Sequence, residues 1–525
     1  MQQFANEIVS ESNVMVRGVS IKTPDSIRIR YFFKLFGNFY AGFLGLLQQV
    51  LLSRFLGSSL YGQWVFSRAH FQGVFTALEV GTGTAFSTFA SQSQDSYKKV
   101  IGLFSIILFC IFSFNILYVV GVKALGLQNY FWPDIDPSYM GYGLFLAFGI
   151  YLSMMAARIT DASGHSKKVE MLRGLVSSLV MLILGGMIYL DFFNIKTASV
   201  IIGFGYYAVA FYYIYFGHKM FEGGSIDYSR KTLKESWERF IQYCGPLFIF
   251  SVVGAFLSVI DRWLLQKHGG SVQQGYFGYS QQLSAAVFLI TGSMSPIFHR
   301  EASAAFFENK VETVKKLFLI DLRRFFSIAA FLSIIAAINA KEILSITVGE
   351  PFKAAYIVTT LMFLYPIHQT YGQLSSILLL AKGKTQLYLW ISLVDGCLGL
   401  LCSYLLLSDL SFISLNLGAV GLAIKFLFVQ LMDTSIYNFC NCKMLGLSFR
   451  RFLLTDIKIL AALGCFGLVS YFLSYFILFN FQSEFINWFS LILKSTFFSS
   501  MVLLLVLMKP GLFALNFGQK KKSSS

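Results

Sequence analysis

A chain of 525 residues with a mean hydropathy of +0.64 and only 13% charged side chains is not a soluble globular protein. Apolar runs of about 20 residues recur from one end to the other, as expected of a polytopic membrane protein. The net charge of +16 does not indicate nucleic-acid binding, because the basic residues lie in short segments between apolar runs and not on one soluble face.

Residues 1–30 form a polar segment carrying Arg17, Lys22, Arg28 and Arg30, with no apolar core or small-residue cleavage site. The first apolar run is therefore expected to stay in place as a helix. Fourteen spans follow, near 31–52, 63–89, 100–122, 139–157, 171–190, 198–216, 240–261, 275–298, 317–338, 355–379, 387–407, 417–439, 459–480 and 488–508. With the N-terminus taken as inside, about thirty basic residues fall in the inside connections and about seven outside (Arg54, Lys123, Lys196, Arg262, Lys267, Lys341 and Lys353). A missed or spurious span would reverse this alternation, so both termini are expected on the cytoplasmic side.

The expected fold is an all-α polytopic membrane protein of about fourteen helices: two pseudo-symmetric six-helix lobes and two C-terminal helices. The segments are a cytoplasmic N-terminus (1–30), an N-lobe (31–224), a linker (225–239), a C-lobe (240–440), a cytoplasmic loop with spans 13 and 14 (441–508) and a basic tail (509–525). The stretch from Ser225 to Phe240 reads either as an interfacial helix, with Leu233, Trp237 and Phe240 on its apolar face, or as a solvated linker.

The two lobes are suggested by an internal repeat. Aligning Gly62 on Gly275 places Ser67 on Ser280 and Arg68 on Gln281, and both helices then end in small residues, Val80-Gly81-Thr82-Gly83 and Ser293-Met294-Ser295-Pro296. A looser match pairs Asp161–Lys168 with Leu379–Gln386. Six spans separate the repeats, an even number, so the lobes should be related by a pseudo-two-fold axis along the membrane normal with a cavity between them.

The second span is unusually polar. On a helix Arg68, Gln72, Phe75 and Glu79 share one face about 16 Å long, with the cation toward the outside and the anion toward the inside. Ionisable groups at membrane depth turn toward a bundle interior or a wet cavity, and arginine grips phosphate with a bidentate fork. Glu79 is a candidate for taking up a proton or cation, or a structural partner of a neighbouring helix. His70 is a candidate substrate contact or proton carrier, or a packed polar side chain. Span 8 carries a milder stripe of Ser280, Ser284, Thr291 and Ser295 beside Gln281, suited to sugar contacts or to helix packing. Asp261-Arg262 is a gate pair or an ordinary interfacial pair, and Asp395, Lys425 and Asp433 lie within later apolar runs.

Catalytic and cofactor motifs are absent. The seven cysteines include no CxxC pair, and the six histidines no HExxH. Gly383-Lys384-Thr385 has Leu378 where a Walker A glycine would stand and follows a membrane span, so no nucleotide site is expected. No metal or cofactor is expected, and transport would draw on a gradient.

The stretches LSRFLGSSLYGQW, LEVGTGTAFSTFAS and FLSVIDRWLLQKHGGSVQQGYFGYSQQL resemble the polysaccharide-transporter branch of the MOP flippase superfamily, the Wzx-type O-antigen and capsule translocases. The resemblance covers nearly the whole chain and rests on the Leu56-Gly57…Tyr61-Gly62 turn, Gly81, Asp261-Arg262 and Gly275-Tyr276. It implies a non-enzymatic flippase of a bacterial cytoplasmic (inner) membrane, which carries undecaprenyl-diphosphate-linked oligosaccharide to the outer leaflet by alternating access. Lipopolysaccharide or capsule polymerase machinery would then be its partner, with membrane lipid around the polyprenyl tail. On that reading Arg54, Arg68 and Lys425 meet the anionic headgroup, and Gln72, His70, Gln281 and Ser284 line the sugar path. Glu79, Asp261, Arg262 and Asp395 serve ion coupling or gating. Gln281 opposite Arg68 makes the cationic lining lopsided. A multidrug/cation antiporter of the same superfamily is the alternative, although Arg68 disfavours it. A glycan polymerase or ligase would need a large, catalytic outside loop, and the outside loops here are short.

Overall fold

The computed structural model describes residues 27–90, 94–163, 167–220, 226, 228–292, 295–409, 414–478 and 486–515. The chain before residue 27, the tail beyond 515, Ser225 in the linker, and the side chains of Thr291 and of Asp161–Lys168 lie outside the described residues.

All regular structure among these residues is helical. The elements are α1 (Ile27–Glu79), α2 (Thr82–Ala90), α3 (Gln94–Ala124), α4 (Gln128–Phe131), α5 (Pro137–Ser163), α6 (Lys167–Tyr189), α7 (Ile195–Met220) and α8 (Arg230–Gly292). They continue as α9 (Ser295–Phe307), α10 (Val311–Lys316), α11 (Leu322–Ile338), α12 (Ala340–Thr347), α13 (Tyr356–Ala381), α14 (Thr385–Leu407), α15 (Gly418–Leu445), α16 (Phe449–Leu478) and α17 (Ile486–Met508). Nine helices among the described residues are long and apolar enough to cross a membrane. The remaining long segments, α8, α11 and α13, pack into the same bundle. The fourteen expected spans fall on helical segments, except that the one at 63–89 is broken at Val80 and Gly81 and those at 275–298 and 459–480 include positions outside the described residues.

Two of these helices are hairpin-like. α1 is 53 residues long, about 80 Å if straight, but it bends at Gly57, where φ is 73° and ψ is 175°. A side chain is strained at that φ, so glycine is required. The chain turns back far enough for the Tyr61 hydroxyl to donate to Gln49 Oε1 at 2.8 Å. α8 bends in the same way at Gly270, with φ 70° and ψ −178°. The offset between the bends is 213 residues, the same as between Gly62 and Gly275.

The bent ends of α1 and α8 meet. A Cβ on Gly62 would lie 1.7 Å from the carbonyl oxygen of Ser271, and one on Gly275 would lie 2.2 Å from that of Ser58. Ser58 and Ser271 again differ by 213, so the contact is reciprocal, as at a two-fold axis. In lipid, helices gain little from the hydrophobic effect, and small residues let backbones approach closely enough for dispersion to hold them. Tyr61, Tyr279 and Phe352 close the same end with rings 5.2–6.2 Å apart. A loop of the N-lobe adds a latch: Asp134 Oδ2 accepts from the Ser271 amide at 3.0 Å, and Trp263 Nε1 donates to the Tyr130 carbonyl at 2.9 Å. Gly62→Ala is expected to hold these ends apart. A cysteine at Ser58 should then react several-fold faster with an impermeant maleimide, whereas unchanged labelling would mean the lobes do not close there.

One core cluster joins α1, α2, α3, α5 and the start of α8, and another joins α9–α11 with α13 and α15–α17. The last two helices are thus tied to the second lobe, and buried polar pairs fasten them there. Lys494 on α17 lies 2.7 Å from Glu342, and Tyr371 donates to Asp456 on α16 at 2.7 Å. Large apolar side chains such as Leu117, Leu182 and Phe476 are exposed on the outer surface, as they must be against lipid.

The linker differs from expectation. From Arg230 the chain is already the first arm of α8, and among the described residues no separate interfacial helix stands before it. Phe240 is buried and Leu233 packs on the first lobe, where Ser236 donates to the Lys99 carbonyl at 3.0 Å, but Trp237 is exposed. The buried stripe follows i, i+3, i+7 from Leu233, and Trp237 lies at the edge of that stripe.

Candidate functional site between the lobes

Arg68 lies on the second arm of α1, one helical turn beyond Trp64. Its guanidinium sits 4.6 Å above the Trp64 ring, in electrostatic reach of Tyr61 and Tyr206. Among the described residues no carboxylate pairs with it, and its Nε is buried without a hydrogen-bond partner. Arg262, on the first arm of α8, sits 4.7 Å from the Phe277 ring centre. It donates through Nη2 to Gln281 Oε1, while its Nη1 is buried without a partner. The two arginines are close enough to repel one another. Val65 against Gly278 and Val259 against Gly73 pack the lobes on either side of them.

This corrects the lopsided lining expected from Gln281 opposite Arg68. The 213-residue offset that places Arg68 on Gln281 also places Arg262 on Gln49. Each lobe therefore supplies one arginine and one glutamine at equivalent positions, with the arginines on opposite arms of their hairpins. The exchange is present in the sequence itself, where the first arms carry Gln49 and Arg262 at the same offset.

The Asp261-Arg262 pair is also corrected. Neighbouring residues on a helix point about 100° apart, and these two part company. Asp261 is buried in the second lobe, accepting from Lys425 Nζ at 2.5 Å and from Ser403 Oγ at 2.5 Å. Lys425, expected on the headgroup, is consequently neutralised within its own lobe. Asp395 on α14 is half-buried, in electrostatic contact with Lys425 and with Asp433 on α15.

The other expected residues scatter. Arg54 is exposed before the Gly57 bend and makes no ion pair among the described residues. Gln72 is half-buried one turn below Arg68. His70 is buried on another side of the helix, sharing a 3.0 Å hydrogen bond with Tyr118 and stacked near the Phe66 and Tyr118 rings, which makes it a packing residue. Phe75 is fully buried 5.0 Å from the Tyr151 ring, so the polar face stops there. Glu79 lies 3.6 Å from Arg158 and accepts from the Gly83 amide at 3.1 Å. It caps α2, where the chain breaks at Val80 and Gly81. Ser284 is buried and bonds the Gln281 carbonyl at 2.8 Å.

This multi-pass membrane protein, with two glycine-bent hairpins that meet at their bent ends and bring Arg68 and Arg262 between the lobes, has a fold like that of solved MOP-superfamily transporters. Among solved structures, the lipid II flippase MurJ in an inward closed conformation matches with a TM-score of 0.68 over 92% of this chain and 99% of that one, at 14% identity. An inward-facing multidrug resistance MATE family transporter matches at 0.57 over 77% and 95%, also at 14% identity. A MOP superfamily transporter from Pyrococcus furiosus, described as having a binding pocket of reverse polarity, matches at 0.51 over 83% and 100%, at 13% identity. No family model matches the chain, and no curated protein matches it in sequence.

Proposed function

We propose that the protein is a flippase for undecaprenyl-diphosphate-linked oligosaccharide of the O-antigen, capsule or exopolysaccharide type. The observation that carries this reading is the Arg68 and Arg262 pair: two guanidiniums, one from each lobe, with no carboxylate bridging them among the described residues. Like charges held together at membrane depth favour an anion between them, and planar forks suit a diphosphate. Both termini are read as cytoplasmic and the Gly57 and Gly270 ends as outside, which the basic residues concentrated in alternate connections support. The closed outer end then corresponds to a state that loads from the cytoplasmic leaflet. Asp395, beside Asp433, is the position we assign to ion coupling.

The test is transport by the purified protein in liposomes. Lipid-linked oligosaccharide should cross to the opposite leaflet, and a cationic dye such as ethidium should not be pumped. Dye efflux without lipid movement would replace this reading with the cation antiporter.

A further inference from the structure

Away from the arginine pair, α1, α5, α6 and α7 line a partly open cavity of about 360 Å³ in the first lobe. Its α6 wall runs from Val169 to Met181, about 18 Å at the helical rise. It is therefore long and narrow, at the lower end of the size range of small-molecule sites.

The lining is mixed in a particular way. Gln48, Ser177 and Tyr206 line the cavity, and the Gln48 amide and the two hydroxyls have no hydrogen-bond partner among the described residues. Glu170 and Arg173 pair at 3.2 Å farther along the same wall. A hydrocarbon chain in this space would leave an amide and two hydroxyls dry and unpaired, at a cost of about 1–3 kcal/mol each. A sugar, with hydroxyls that both donate and accept and with apolar C–H faces, satisfies the amide and hydroxyls and lies against the tyrosine ring and aliphatic wall. Tyr206, on the cavity wall, is also in electrostatic reach of Arg68.

We infer that this cavity is a carbohydrate subsite, which receives the sugar attached to the diphosphate held by Arg68 and Arg262. The inference rests on the flippase reading. It gives the first lobe the task of recognising the glycan and leaves the diphosphate to both lobes.

Gly45 offers a clean test, because a Cβ there would meet no atom within 4 Å and would point into open cavity space. Gly45→Leu fills the cavity and at the same time improves a helical position, so the variant should fold. Binding of two probes to the full-length protein in detergent would be measured by native mass spectrometry: undecaprenyl diphosphate, and the same lipid bearing one N-acetylhexosamine. The wild type should bind the sugar-bearing lipid at least tenfold more tightly than the bare one. Gly45→Leu should bring the two to parity with the bare-lipid affinity kept, and Gly45→Ala, too small to fill the space, should behave as wild type. Equal wild-type affinity for both probes, or a sugar preference that survives Gly45→Leu, overturns the subsite and spares the flippase. Loss of bare-lipid binding in Gly45→Leu also overturns it, because the cavity would then hold the chain. Failure of the wild type to bind either lipid sinks the flippase reading itself.

Discussion

Arg262→Ala is expected to abolish surface glycan as completely as Arg68→Ala, with both proteins inserted and abundant. Each guanidinium is half-buried, lies over an aromatic ring and keeps one nitrogen without a partner. A diphosphate would supply that partner. Hydrogen bonds to charged groups contribute about 1.5–3 kcal/mol each, so loss of one arginine should weaken binding of undecaprenyl diphosphate roughly 10- to 100-fold. The double variant should lose less than the sum, since both groups hold one ligand. Arg68→Lys should not restore function, because an ammonium neither forks nor stacks on Trp64 as a planar guanidinium does. Glycan staining of cells, with immunoblots of the membrane fraction, provides the readout. Wild-type glycan on cells carrying Arg262→Ala would remove the second lobe from the headgroup site.

Lys425→Met is expected to destabilise the protein sharply, and Asp261→Leu in the same chain to recover most of the loss. Asp261 and Lys425 are buried against each other at 2.5 Å with Ser403 as a further donor. Removing one partner leaves a charge stranded in a low-dielectric interior, which costs about 3–5 kcal/mol, whereas removing both with apolar side chains of similar size costs little. Thermal unfolding in detergent should show a marked drop for each single variant and near wild-type behaviour for the pair. Asp395, which interacts with Lys425, should lose its electrostatic partner in Lys425→Met. Transport coupling in the stabilised double variant would therefore separate the role of the pair in folding from any role in ion movement. Single variants that melt like wild type would show that the pair is hydrated.

The spans and the repeat were legible in the sequence because they depend on local properties. A run of apolar residues long enough for the bilayer declares a helix whatever surrounds it. Gly62 and Gly275 could be aligned because both hairpins use the same small residues for the same backbone approach. The polar face of the second span was legible only in part. Helical periodicity places Arg68 and Gln72 together, but it cannot distinguish an arginine left without an ion-pair partner from a glutamate capping the next helix, as Glu79 does.

Partners across the bundle were not legible, because they depend on which side chains other helices present at the same depth. Asp261 and Arg262 are adjacent in sequence, and about 100° of helical rotation sends one to Lys425 and the other to Gln281. By itself the sequence determined an all-helical membrane chain with two related hairpins and ionisable residues at depth. Only the tertiary structure decided which of those charges neutralise each other and which two stand together between the lobes.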